Sequence, residues 1–99
     1  MATVLITHEI ENYDEWKSGF DAHAETRREY GSQGYRLFRG TDDPNEITVL
    51  FEWDSVENAH RFLEESDVRE RMDELGVIGD PEITFIEQVE SRSSETPMP

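Results

Sequence analysis

The stretch Tyr35-Arg-Leu-Phe-Arg-Gly-Thr-Asp-Asp-Pro-Asn-Glu-Ile-Thr-Val-Leu-Phe-Glu-Trp53 reads as two β-strands, about 35–40 and 46–53, joined by a tight polar turn. Asp42-Asp43-Pro44-Asn45 supplies the turn: carboxylate and amide side chains bond local backbone, and proline fixes φ. The second strand is apolar in both directions, so each of its faces needs a cover. Working outward, a helix-length segment precedes the hairpin and another follows it.

Upstream, Thr3-Val-Leu-Ile-Thr-His-Glu-Ile10 is β-branched and alternating enough for a first strand. Asn12, with Glu15 three positions on, has the capping-box spacing that opens a helix. Tyr13, Trp16, Phe20, His23 with Ala24, and Arg27 recur at steps of three and four, predicting one continuous helix over 13–30 stopped by Gly31 and Gly34. Downstream, Asp54 with Glu57 predicts a second cap, and Val56, Ala59, Phe62 and Leu63 an inner stripe. Ser66-Asp67 predicts a short extra helix carrying Val68, Met72 and Leu75 and ending at Gly76. Gly79-Asp80-Pro81 is expected as a loop, 82–89 as the last strand, and 91–99 as a flexible tail after a domain spanning 1–90.

This order is βαββαβ, the α+β ferredoxin-like pattern: a four-stranded antiparallel sheet with strands one and three central and the helices on one face. Val4-Leu5-Ile6, Ile47 to Phe51 and Ile83 to Ile86 carry apolar residues on both sides of the sheet. The uncovered side would be an apolar patch of the kind monomers avoid, so a two-fold homodimer packed sheet to sheet is expected.

The chain has 99 residues and no cysteine, which excludes disulfides and thiolate metal sites. No apolar run exceeds three residues and no leader pattern opens the chain, so a cytoplasmic protein without membrane partners is expected. Twenty-four acidic residues against eight Arg and one Lys give a formal charge of −15. That field repels nucleic acid, and the near-absence of Lys reads as a surface adapted to molar salt, the mark of a halophile.

Local features now fit a known group. Tyr13-Asp14-Glu15-Trp16-Lys17 with Phe20-Asp21-Ala22-His23, then Gly34-Tyr35-Arg36-Leu37-Phe38-Arg39, Asp43-Pro44-Asn45-Glu46 and Leu50-Phe51-Glu52-Trp53 resemble the dimeric α+β-barrel superfamily. Within it the likeness is to the antibiotic-biosynthesis-monooxygenase-like domains and a subgroup of small "cyclase-like" members. The resemblance implies the dimeric barrel and cofactor-independent oxidation or isomerisation of an activated aromatic, polyketide-like or enol substrate. The Asn, Trp and His trio of haem-degrading relatives, and the Asn-Trp-Tyr-Arg set of the quinone-forming oxygenases, do not map onto this chain residue by residue.

The residues offer His23, one turn beyond Phe20, as a general base or as a group that orients a phenolic substrate. His8, in register with Val4 and Ile6, is placed to reach the same cavity. Trp16, Phe20, Tyr35, Arg39, Phe51 and Trp53 are candidate pocket residues for a flat ligand. Against each stands a plainer account: satisfied histidines, an aromatic core, and Arg36 or Arg39 paired across strands to Glu52. Glu57 and His60 share a helical face, but one Glu-x-x-His without a second pair does not make a metal site. No phosphate-binding glycine loop or nucleophile elbow is present. Two functions follow from this: a small-molecule enzyme or binder with no cofactor, or a non-catalytic stress-related or structural dimer with a packed interior.

Overall fold

The computed structural model describes residues 2–92. Its elements are β1 (Ala2–Ile10), α1 (Tyr13–Ala22), α2 (Ala24–Glu29), β2 (Ser32–Arg39), β3 (Glu46–Trp53), α3 (Val56–Glu65), α4 (Val68–Glu74) and β4 (Val77–Ile86). The sheet is antiparallel throughout, in the order β2-β3-β1-β4. This is the ferredoxin-like arrangement, with β1 and β3 central as expected. Part of the expected tail, 93–99, lies outside the described residues.

Register decides which side chains meet the helices. Val4 faces Phe51 and Phe85, Ile6 faces Val49 and Ile83, and His8 faces Ile47. Because side chains alternate along a strand, all of these share the inner face. Ala59, Phe62 and Leu63 of α3, Val68 of α4, and Trp16 and Phe20 of α1 close the core over them. Leu5, Leu50, Phe38 and Ile86 stand on the other face among Thr3, Thr7, Thr48 and Thr84. Phe38 is 50% exposed and Ile86 40%.

The helix expected over 13–30 is two helices. It breaks at His23 (φ −91°, ψ 3°), whose carbonyl accepts the Arg27 N–H at 3.2 Å and starts α2. Asn12 caps α1 as expected, its Oδ1 accepting the Glu15 N–H at 3.0 Å. Asp54 does not cap α3. Ser55 does, its Oγ accepting the Asn58 N–H at 3.1 Å, while Asp54 takes the Asn58 side-chain amide at 2.9 Å. Val56, expected on the inner stripe, is the first residue of α3, lies beyond the end of the buried stripe and is half exposed.

Gly34 does not end a helix. It lies inside β2, where the pairing shifts between Ser32 and Gly34, and its φ of +149° is a bulge geometry that only glycine adopts freely. The last strand also differs from expectation. It begins at Val77, runs through Gly79-Asp80-Pro81, and stops at Ile86. Its pairing with β1 shifts between Thr7 and Glu9. β4 is an edge strand, so Pro81 can sit at this bulge without removing a needed ladder bond. The last pair it makes with β1 is Ile86 opposite Thr3.

Candidate active site

A cleft opens between the helical layer and the inner face of the sheet. Ile6, His8, Val49 and Phe51 form its floor. Trp16, Gly19, Phe20 and His23 wall one side, and Val68, Arg71 and Met72 of α4 with Leu75 at its C-cap wall the other. The cavity volume is about 50 Å³, room for a few waters. Gly19 sets the distance between the walls: a Cβ there would lie 2.1 Å from Leu75 Cδ2.

His8 and His23, 15 positions apart in the chain, meet in this cleft. His8 is only 6% exposed, and neither ring nitrogen has a hydrogen-bond partner. Burial pushes its pKa down to about 4, because a charged imidazole loses its hydration there. The ring is therefore neutral at pH 7, tilted against Trp16 at 5.5 Å.

His23 sits at the α1–α2 break. Its Nε2 lies 2.9 Å from Asp67 Oδ1, and its side chain is 10% exposed. Asp67 occupies the matching break between α3 and α4, and Arg71 Nε donates to its other oxygen at 3.2 Å. The His23 hydrogen bond, with further help from Arg71, holds the Asp67 carboxyl below its usual range. An ionised Asp67 orients the imidazole with Nε2–H donating, which leaves Nδ1 as the basic nitrogen. The arrangement is a histidine held by a carboxylate at the rim of a mostly apolar cavity, able to accept a proton and stabilise the resulting charge.

Trp16 and Phe20 stack at 4.9 Å along the cleft, with Phe51 6.0 Å from Phe20. The other three candidate pocket residues lie elsewhere. Trp53 is buried in the core against Phe62 at 5.0 Å. Tyr35 stands edge-on to Phe20 at the edge strand β2, 42% exposed and outside the cleft lining. Arg39 covers the Tyr13 ring at 4.2 Å and donates to the Pro44 carbonyl. Neither arginine of β2 pairs with Glu52, which accepts from Thr3 Oγ1 at 3.1 Å instead. His60 stacks flat on Phe85 at 4.1 Å, away from the cleft. Among the described residues, Glu9, Asp43 and Glu46 alone bring three metal-ligating groups together, and they are exposed on the surface.

Sequence reasoning missed Asp67 and Arg71, and Arg27 as a residue lining the cleft. The i,i+4 spacing of Asp67 and Arg71 is visible in the chain, but nothing local announces a partner for Asp67 44 positions away.

Comparison with known proteins fits this architecture. Residues 1–74 match the model of the family described as antibiotic biosynthesis monooxygenase. The chain belongs to that family. Its fold is similar to a structure from Bordetella bronchiseptica named for the same family (TM-score 0.75, 17% identity, covering 90% of this chain and 97% of that one). It is equally similar to SnoaB, a cofactor-independent oxygenase from Streptomyces nogalater (TM-score 0.75, 16% identity, 91% and 94% covered). A family structure from Deinococcus radiodurans covers 97% of this chain and all of its own at 19% identity and TM-score 0.69. No curated protein matches in sequence. At these identities the likeness is one of fold.

Proposed function

We propose that this family member is a cofactor-independent enzyme that removes a proton from a small activated aromatic or enol substrate held in the cleft. The observation that carries the reading is the His23–Asp67 pair at 2.9 Å on the rim of a cavity walled by Trp16 and Phe20. His23 Nδ1 takes the proton, Asp67 balances the imidazolium, and the apolar walls exclude water from the carbanion. With an anthrone-type substrate, dioxygen then accepts electrons from the carbanion, giving the quinone and water. Oxygen uptake with anthrone and with one-ring hydroquinones tests this. His23→Gln should lower turnover at least tenfold, with KM little changed. Turnover equal to wild type refutes the role of His23.

A second reading is favoured by the volume. About 50 Å³ is short of a polycyclic ligand unless Met72 and Leu75 swing aside, so a non-catalytic stress-related or structural dimer with a filled interior stands as the alternative. Thermal-shift screening against aromatic, quinone-like and haem ligands separates the two, since a filled interior gives no shift.

The same reading includes a homodimer packed through Phe38, Leu50, Leu5 and Ile86 on the outer sheet face. Light scattering should give twice the chain mass, and Leu50→Glu should halve it. A one-chain mass for the wild type refutes the dimer. Adaptation to molar salt also belongs to this reading, supported by the formal charge of −15 and by the absence of any buried Asp or Glu among the described residues.

A further inference from the structure

Arg27 is 4% exposed. Its guanidinium carbon lies 3.9 Å over the Phe20 ring, with Tyr35 and Phe51 at 5.5 and 5.9 Å. One of its five N–H donors is bonded within the chain, Nη1 donating to the Phe20 carbonyl at 2.8 Å. Its other nitrogens keep some contact with solvent, since among the described residues the fully buried unpartnered side-chain nitrogens are those of His8. Among the described residues no carboxylate pairs with it, in a chain with 24 acidic residues. Asp21 is near enough to be felt, but both its oxygens are held by Lys17 Nζ at 2.7 Å. The C-terminal end of α1 and the aromatic face offset part of the burial cost. Neither substitutes for a counter-ion.

Arg27 lines the cleft at one end of a row of rings. From His8 to Trp16 is 5.5 Å, from Trp16 to Phe20 4.9 Å, and from Phe20 to Arg27 3.9 Å. At the opposite end stands His8, more than nine-tenths buried, with both nitrogens unpartnered. A flat apolar run ending in an unpaired cation and an unpaired imidazole lacks a flat anion with a second polar group.

We infer that, once Met72 and Leu75 swing aside to enlarge the cavity of about 50 Å³, the cleft selects a small planar organic anion, its charged oxygen paired with Arg27, its ring against Trp16 and Phe20, and its polar substituent toward His8. The inference rests on the reading of this cleft as a ligand site and adds the charge of the ligand. A carboxylate, phenolate or enolate oxygen satisfies it, since each accepts from the guanidinium fork.

The test titrates the full chain with benzoate and with the neutral isostere benzamide at fixed ionic strength, followed by tryptophan fluorescence, which Trp16 reports. Benzoate should bind at least tenfold tighter, and Arg27→Gln should remove that preference while leaving benzamide affinity within twofold. The Arg27 side-chain Nε resonance of the wild type should shift with benzoate and not with benzamide, a readout that needs no variant to fold. Equal affinity for the two rings, a preference that survives in Arg27→Gln, or an unmoved Nε resonance overturns the anion inference and leaves the cleft reading standing. Failure of both rings to bind overturns the two together.

Discussion

Replacing His8 with Phe should stabilise the protein and flatten its response to acid. The folded-state pKa of His8 is lowered by burial from 6.5 to about 4, so between those pH values the unfolded chain binds a proton that the folded one refuses. Stability contributed by the neutral ring is present above pH 6.5 and falls as pH drops toward 4. Linkage with those two values gives a loss of about 2 kcal/mol on going from pH 7 to pH 5, tending to about 3 kcal/mol at the acid limit. At pH 7 the variant should also gain about 1–3 kcal/mol, because both ring nitrogens are buried without partners and an unsatisfied buried polar group costs that much. The assay is urea unfolding of both proteins at pH 5, 6 and 7 in the same high salt. Carboxylates that titrate in this range do so in both proteins, so the difference between the two curves isolates His8. That difference should widen by about 2 kcal/mol from pH 7 to pH 5. Parallel stability curves, or a variant less stable than wild type throughout, would refute the claim that His8 is held neutral and unpartnered.

Phe62→Ala should cost about 3–5 kcal/mol, because Phe62 is 2% exposed and packs on Trp53, Tyr30 and His23; urea midpoints measure it. Lowering salt from molar to about 0.1 M lengthens the screening distance from about 3 to 10 Å, and circular dichroism should then report loosening of a chain with formal charge −15. Full stability in dilute buffer would remove the high-salt reading.

Much of the fold was legible because its signals are local. Alternation in Val4, Ile6 and His8 and in Ile47, Val49, Phe51 and Trp53 gives the inner face of the central strands, and each of those residues is buried. The Asn12 cap and the Ala59, Phe62 and Leu63 stripe needed only neighbours three or four positions away. The errors fall where local rules compete. Asp54 and Ser55 are both good caps, and the backbone chose Ser55. Gly79-Asp80-Pro81 reads as a turn anywhere except at a bulge on an edge strand, where β1 continues to supply partners.

The site divides in the same way. Periodicity placed His23, Trp16 and Phe20 on one stripe, and strand alternation placed His8 beneath it. Those are statements about faces, and the chain alone makes them. That His23 breaks its helix to meet Asp67, that Trp53 joins the core while Phe51 reaches the cleft, and that Arg27 is buried without a carboxylate are statements about which faces come together. Such contacts join residues tens of positions apart, and their energies exist only once the sheet and helices have docked.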